Sequence, residues 1–206
     1  MDFGFYISAF VTIYVIIDPI GLTPLFVTMT RGMTARKRHA IGLRALLIGF
    51  LLLALFGVLG KSVLGFVGIS MPAFRIAGGV LLFLTALDML FERRSKRREG
   101  QTDEDSSDPS VFPLATPLIA GPGAITTMIL LTGQLHGDVV GIVLINLVLA
   151  AVLAIVGIMF LAAGLLERAL GATGINVISR LLGMLLAALS VQFVLDGMRT
   201  VGFLPG

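Results

Sequence analysis

The sequence contains no cysteine, and charged residues make up only 13% of its 206 residues. The absence of cysteine excludes disulfide bonds, thiol redox chemistry and cysteine-ligated metals. A soluble domain has about 25% charged residues, whereas this chain is 57% hydrophobic and has a mean hydropathy of +1.03. The composition therefore predicts an integral membrane protein, with the lipid bilayer as its first partner.

The sequence also lacks the patterns of an enzyme. It shows no Ser-His-Asp or His-Glu arrangement, no phosphate-binding loop and no ATP-binding domain, and its two histidines, His39 and His136, lie in predicted loops without metal-ligand spacing. We therefore expect no enzymatic activity, no cofactor and no metal site. The net charge of +3 is expected to set membrane topology rather than to bind nucleic acid.

Long apolar runs predict six transmembrane helices, because about 20 consecutive apolar residues span the hydrocarbon core of a bilayer. The first run is interpreted as a retained helix rather than a signal peptide, since no basic residue precedes it. The apolar stretch 62–74 is expected to pack at the membrane surface. The predicted helices cover approximately residues 3–29, 43–62, 73–91, 112–134, 139–166 and 180–198.

Basic residues are concentrated in the predicted loops after helices 1, 3 and 5, which hold twelve of the 15 lysines and arginines. Cytoplasmic loops carry such an excess, so both termini are predicted to lie outside a bacterial inner membrane. The charged segment 92–110 has no large apolar residue and is predicted to be a disordered cytoplasmic linker. It would join a first three-helix repeat, 1–91, to a second, 111–206.

Two helix-breaking segments interrupt the apolar runs, one in each half of the chain. They are Asp18-Pro19-Ile20-Gly21-Leu22-Thr23-Pro24 in helix 1 and Ala120-Gly121-Pro122-Gly123-Ala124-Ile125-Thr126 in helix 4. Irregular backbone persists in a membrane only where protein buries it or where it lines a watery cavity. A matched pair of interrupted helices is therefore a sequence pointer to a transporter's binding site.

The two halves of the chain show local similarity around these breaks. The same number of residues separates Pro19 from Pro122 and Thr23 from Thr126. Because each half has an odd number of helices, the halves cross the membrane in opposite directions. The predicted fold is an all-α membrane protein of six transmembrane helices, arranged as two inverted three-helix repeats with helices 1 and 4 broken near the midplane.

Asp18 is the strongest candidate functional residue, because a carboxylate at membrane depth is costly and marks function by default. Its position before a proline disfavours helical backbone, Gly21 adds backbone freedom, and Pro24 is expected to open the next half-helix. Two compatible roles stay open. Asp18 caps the half-helix that follows it, or it binds substrate or a coupling cation.

In the second break, Thr126 and Thr127 follow the Gly-Pro-Gly sequence on the new half-helix. Their hydroxyls either line a polar site or bond back to the carbonyl four residues earlier. Broken helices expose N–H groups at one end and C=O groups at the other, which suits a small zwitterion such as an amino acid. The predicted substrate site comprises Asp18, Pro19, Gly21, Thr23, Pro24, Gly121, Pro122, Gly123, Thr126 and Thr127, with Asp18 also coupling a proton or Na+.

At these segments the chain resembles the MarC family of integral membrane proteins. The resemblance rests on Asp18-Pro19-Ile20-Gly21 with Pro24, and on Pro113-Leu114-Ala115 followed by Pro117-Leu118-Ile119-Ala120-Gly121-Pro122-Gly123-Ala124-Ile125. It implies a place near the LysE-type transporter superfamily, whose electron-carrying members use paired cysteines that this chain lacks. A related archaeal member transports glycine and alanine together with cations. For this chain the resemblance implies only the class of substrate to expect.

Two alternatives stay open beside a secondary transporter of small neutral amino acids. An exporter of drugs or metabolites would favour a large aromatic-lined cavity, but the sequence has no tryptophan and only two tyrosines, and small residues surround both breaks. A non-transporting membrane scaffold would leave the two matched breaks unexplained. A homo-oligomer also stays open, with Gly137-Asp138-Val139-Val140-Gly141 as a weak match to helix-dimer spacing.

Overall fold

A computed structural model describes residues 3–91, 109–135 and 137–203, and every regular element in these ranges is helical. Most of the predicted linker, residues 92–108, lies outside the described ranges, as does His136. The elements are α1 (Phe3–Ile17), α2 (Pro19–Met29), α3 (Ala35–Val67), α4 (Met71–Leu90), a proline segment of irregular helix (Ser110–Ile119), α5 (Pro122–Gly133), α6 (Val139–Leu161) and α7 (Ala163–Val201).

The helices are long and apolar enough to make this a membrane protein. Five helical stretches could each cross a bilayer, and the bent pair of the proline segment and α5 makes a sixth. The helices α1 and α2 together form one stretch of 27 residues, whereas the proline segment meets α5 at an angle of 55°. The predicted all-α membrane architecture is confirmed, and interruptions occur in the first and fourth spans. The inverted relation of the two halves stays a prediction.

Four predicted helix boundaries are wrong. The predicted helix 139–166 ends at Leu161, and residues 163–166 already belong to α7. Residues 62–67, predicted to lie at the membrane surface, instead continue α3 until Gly68 caps it with a left-handed backbone (φ 81°). The same helix begins at Ala35, so it includes basic residues expected in a loop. Helix α7 passes through a kink at Gly171 (φ 60°), so Arg180 lies inside a helix rather than at its start. A long basic side chain interrupts an apolar run in sequence, but its flexible stem lets the helix continue.

The burial pattern of α3 is that of a helix facing lipid. Leu43, Leu47, Leu51 and Leu55 form a stripe at four-residue spacing and are 52–64% exposed. Five of the eight buried residues of α3 are instead small: Gly42, Ala45, Gly49, Gly57 and Gly60. Small residues let membrane helices approach closely, so α3 turns its large side chains outward and packs inward through its backbone.

The other helices pack in a simple pattern. The largest interface joins α4 to α7. The helices α1 and α2 pack against α6, and the proline segment and α5 pack against α3. Each broken span therefore lies along one of the unbroken helices.

The helix ends define two faces of the molecule. Residues at the ends of α3, α5 and α7 and at the start of α4 line one cavity, so these ends lie together on what we call the terminal face. At the opposite end, which we call the basic face, the rings of Phe26 and Phe160 stack with their centres 4.0 Å apart. The guanidinium of Arg38 lies 5.2 Å from the centre of the Phe26 ring. The ends of α2 and α6 therefore meet at the basic face through stacked aromatic rings.

Candidate functional site

The first break consists of a single residue, Asp18, between α1 and α2. Its backbone is left-handed (φ 54°, ψ 66°), and no other non-glycine residue in the described ranges has a positive φ. Aspartate enters this region more readily than most residues, because its short side chain bonds locally. The residue is only 2% exposed. A carboxylate is thus buried where the helix breaks.

Asp18 caps α2 through its side chain. Its Oδ1 accepts a hydrogen bond of 3.0 Å from the N–H of Gly21, and a carboxylate at a helix start is also favoured by the helix dipole. Pro19 is the first residue of α2, where its missing N–H costs nothing. The expectation that Pro24 opens the half-helix is wrong, because Pro24 lies inside α2. The carbonyl of Ile20 consequently cannot receive the usual helical bond from residue 24.

Gly21 leaves the space in which this carboxylate lies. A Cβ at position 21 would lie 2.8 Å from Cγ of Asp18. We expect Gly21→Ala to push the carboxylate off the helix start and to lower the free energy of unfolding by about 1 kcal/mol, the usual value of an N-cap. Thermal unfolding of the purified protein in detergent measures the effect. Gly65→Ala is the control, because a Cβ there meets nothing within 4 Å; equal melting temperatures for the two variants would contradict the cap.

The second break lies at Gly121, and Pro122 is the first residue of α5 as Pro19 is of α2. A Cβ at Gly121 would lie 2.6 Å from the carbonyl oxygen of Pro117, so the chain passes itself too closely for any other residue. In contrast to α2, no side chain caps α5. The start of α5 therefore presents uncapped backbone N–H groups.

The two broken spans meet at their breaks. A Cβ on Gly123 would lie 3.8 Å from the side chain of Ile16 on α1 and 3.1 Å from that of Leu82 on α4. A narrow gap of about 160 Å³ separates the end of α1 from the start of α5, and it holds no space for a water-sized sphere. The gap is lined by Ile13, Ile16, Ile17, Leu53, Ala124, Thr127 and Met128. The gap is thus closed in this arrangement, and of the predicted site residues only Thr127 lines it.

Thr127 is the one polar side chain of this gap. It is fully buried, and its hydroxyl finds no hydrogen-bond partner in the part of the chain that the structure describes. The bond back to the carbonyl of Gly123 is therefore not made. Leaving a buried hydroxyl unpaired costs about 1–3 kcal/mol, so this group calls for a functional explanation.

The other two threonines of the predicted site are differently placed. The hydroxyl of Thr23 donates to the carbonyl oxygen of Pro19 at 2.8 Å, within α2. The methyl of Thr126 packs against Gly78 of α4. Sequence reasoning missed the isoleucines of α1, which carry no signal among so many apolar residues.

Comparison with known proteins identifies the family. The profile of the MarC family integral membrane protein matches residues 3–201. A UPF0056 membrane protein of Archaeoglobus fulgidus is 39% identical over 95% of this chain and 92% of its own length. The UPF0056 membrane protein YvbG of Bacillus subtilis is 34% identical over 97% and 96% of the two chains. The UPF0056 inner membrane protein YhgN of Escherichia coli is 35% identical over 94% and 95%.

No solved structure matches the chain significantly. The family match extends from the start of α1 to the end of α7, so it includes both breaks and the gap between them. The chain therefore belongs to the MarC family of integral membrane proteins.

Proposed function

We propose that this protein is a secondary transporter of small neutral amino acids, driven by a proton or Na+ gradient, with no catalytic role. The observation that carries the proposal is that the two broken spans pack together and that each has a buried polar group next to its break: the carboxylate of Asp18 in the first and the unpaired hydroxyl of Thr127 in the second. Ionisable residues inside membrane helices mark ion and substrate pathways, and secondary transporters bind their substrates at interrupted helices.

The two breaks differ in charge and therefore suit the two ends of a zwitterion. The uncapped start of α5 offers N–H groups and the positive end of a helix dipole to a carboxylate. The Thr127 hydroxyl adds a donor on the same helix. The carboxylate of Asp18 and the carbonyl of Ile20 offer oxygen ligands to an ammonium group or Na+, and the carboxylate also offers a site for a proton.

A closed gap implies that transport requires motion. Because the gap between α1 and α5 has no room for a water-sized sphere, the two helices must separate before any substrate enters. A small substrate requires the least separation, and Gly121, Gly123 and Ala124 at the start of α5 favour such a substrate. An exporter of large molecules would require a far wider opening at the same place.

The proposed motion assumes that the two halves form an inverted repeat. The packing of the broken spans supports this assumption: α1 and α2 lie on α6 as the proline segment and α5 lie on α3, and α4 pairs with α7. Rocking of one half against the other would open the gap to each side in turn. We place the basic face in the cytoplasm by the positive-inside rule, with both termini outside. The name of the Escherichia coli relative supports an inner-membrane location.

Uptake into liposomes tests the proposal directly. The purified protein is reconstituted, and uptake of labelled glycine and alanine is measured with an imposed proton gradient, an imposed Na+ gradient and no gradient. Labelled phenylalanine tests for size selectivity, and protein-free liposomes give the background. Gradient-dependent uptake of glycine and alanine is expected. Folded protein that moves neither amino acid, in either direction and under any gradient, would refute the proposal.

The substitution Thr127→Val is expected to affect stability and transport in different directions. Valine has nearly the shape of threonine but no hydroxyl to leave unpaired, so we expect the free energy of unfolding to stay equal or to rise by about 1 kcal/mol. Glycine uptake should weaken about tenfold, because a hydrogen bond to a charged substrate group is lost. Thermal unfolding and the KM for uptake measure the two effects. Thr127→Ser keeps the hydroxyl and should retain uptake.

Thr30→Val is the matched control for stability, because the Thr30 hydroxyl is buried but paired with the carbonyl oxygen of Phe26 at 2.7 Å. This variant should lose stability where Thr127→Val does not. A Thr127→Val protein with unchanged uptake would show that the hydroxyl does not contact the substrate.

A further inference from the structure

A second cavity lies at the terminal face, apart from the breaks. It measures about 860 Å³, including its open mouth. Its lining comes from four helices: Lys61, Met71, Pro72, Arg75, Gly133, Gln134 and Thr200. The cavity therefore lies where several transmembrane helices end, at the depth of the lipid headgroups on that side.

The cavity is positively charged. Lys61 and Arg75 are its ionisable lining residues, no carboxylate lines it, and neither cation has an ion pair within residues 3–91, 109–135 and 137–203. The Nε of Arg75 is buried and lacks a hydrogen-bond partner among these residues. A buried donor of a cation that lacks a partner is costly, so the cavity suits a negatively charged ligand that accepts from it.

The surroundings of the cavity increase its positive potential. Met71 and Pro72 are the first two residues of α4, so the positive end of that helix dipole points into the same space. The acidic residue at the end of α7, Asp196, is already engaged: it lies 3.7 Å from Arg199 and accepts a hydrogen bond of 2.8 Å from Gln192. Asp196 is thus held by partners of its own.

We infer that this cavity binds a phosphate group, carried either by an anionic phospholipid headgroup or by a soluble phosphate. The guanidinium of Arg75 presents a planar fork of donors that matches phosphate oxygens, and Lys61 adds a point charge. The amide of Gln134 adds a neutral donor, whereas the hydroxyl of Thr200 already donates to the carbonyl oxygen of Asp196 at 2.7 Å. Basic pockets between transmembrane helices bind lipid headgroups.

Native mass spectrometry of the full chain in neutral detergent tests the lipid source. The parent is offered equal amounts of phosphatidylglycerol and phosphatidylcholine and should retain phosphatidylglycerol. Arg75→Gln and Lys61→Gln should each weaken that binding about tenfold, since each removes one of two charges from a confined site. Lys37→Gln is the control, because Lys37 is an exposed cation at the start of α3, on the basic face and away from the cavity, and its loss should leave binding unchanged.

Inorganic phosphate tests the soluble source. Thermal unfolding is compared in phosphate and in chloride at equal ionic strength, for the parent and for Lys61→Gln. Lys61→Gln leaves the packing of α4 intact, so it keeps the test valid even if Arg75→Gln fails to fold. Selective phosphatidylglycerol binding without stabilisation by phosphate assigns the cavity to lipid. Stabilisation by phosphate that Lys61→Gln loses assigns it to a soluble ligand. The inference is overturned if the parent shows neither lipid selectivity nor stabilisation by phosphate, or if the variants behave as the parent. None of these readouts depends on transport.

Discussion

Asp18→Asn is expected to abolish gradient-driven uptake of glycine and alanine while leaving the fold intact. Asparagine tolerates left-handed backbone as aspartate does, and its side-chain oxygen still accepts a hydrogen bond from the N–H of Gly21. The substitution therefore removes the charge while it keeps the turn and the cap. Removing one partner of a buried charged pair costs about 3–5 kcal/mol, so a drop of at least about 100-fold in coupled uptake is expected.

The matched control is Asp138→Asn, because Asp138 also caps a helix but is not buried as Asp18 is. It caps α6 by accepting a hydrogen bond of 3.1 Å from the N–H of Val140, and it is exposed. Both variants keep their caps, so both should melt near the parent temperature, and only the Asp18 variant should lose uptake. If folded Asp18→Asn transports as the parent does, the charge of Asp18 takes no part in coupling.

Gly79→Ala is expected to reduce the free energy of unfolding by about 1–3 kcal/mol, as overpacking a tight interface does. A Cβ at this position would lie 2.7 Å from the carbonyl oxygen of Ser190 and 3.1 Å from the backbone nitrogen of Val194, both on α7. Because these atoms belong to the backbone, no side-chain movement relieves the overlap, and α4 and α7 must move apart.

Thermal unfolding in detergent measures the effect of Gly79→Ala, again with Gly65→Ala as the control on an open helix surface. The control makes the same chemical change within a helix but meets no neighbour, so it isolates the contact between α4 and α7. Coinciding melting curves for Gly79→Ala and the parent would mean that the two helices are not packed so closely.

The sequence predicted the breaks because proline and glycine act locally. Pro19 and Pro122 each begin a helix for a reason that needs no knowledge of the rest of the fold: a missing N–H costs nothing in the first turn. Pro24 satisfies the same rule in sequence yet lies inside α2. The helix begins at Pro19 rather than at Pro24 because the side chain of Asp18 caps it there.

Helix ends were harder to predict, because a charged residue in an apolar run can either mark the end of a span or lie inside a helix. The predicted helix 43–62 ends next to Lys61, yet α3 continues to Val67. A lysine inside a membrane helix is tolerated when it faces a polar cavity, and Lys61 lines one. Whether such a cavity exists depends on residues of α4, α5 and α7, which are distant in sequence.

The sequence predicted which polar residues lie near the breaks, but not which of their hydroxyls are hydrogen-bonded. Thr23 and Thr127 both follow a break within two turns, but one hydroxyl is paired within its helix and the other is unpaired against the isoleucines of α1. No local pattern distinguishes them, because the difference depends on which neighbouring helix covers each residue.

The left-handed backbone at Asp18 limits which residues this position accepts during evolution. Glycine, asparagine and aspartate are the residues that enter this conformation readily. A single base change converts an aspartate codon into one for either of the other two, so mutation supplies both continually. A lineage that keeps only aspartate here would therefore record selection for charge, whereas a lineage that mixes the three would record selection for the shape of the turn.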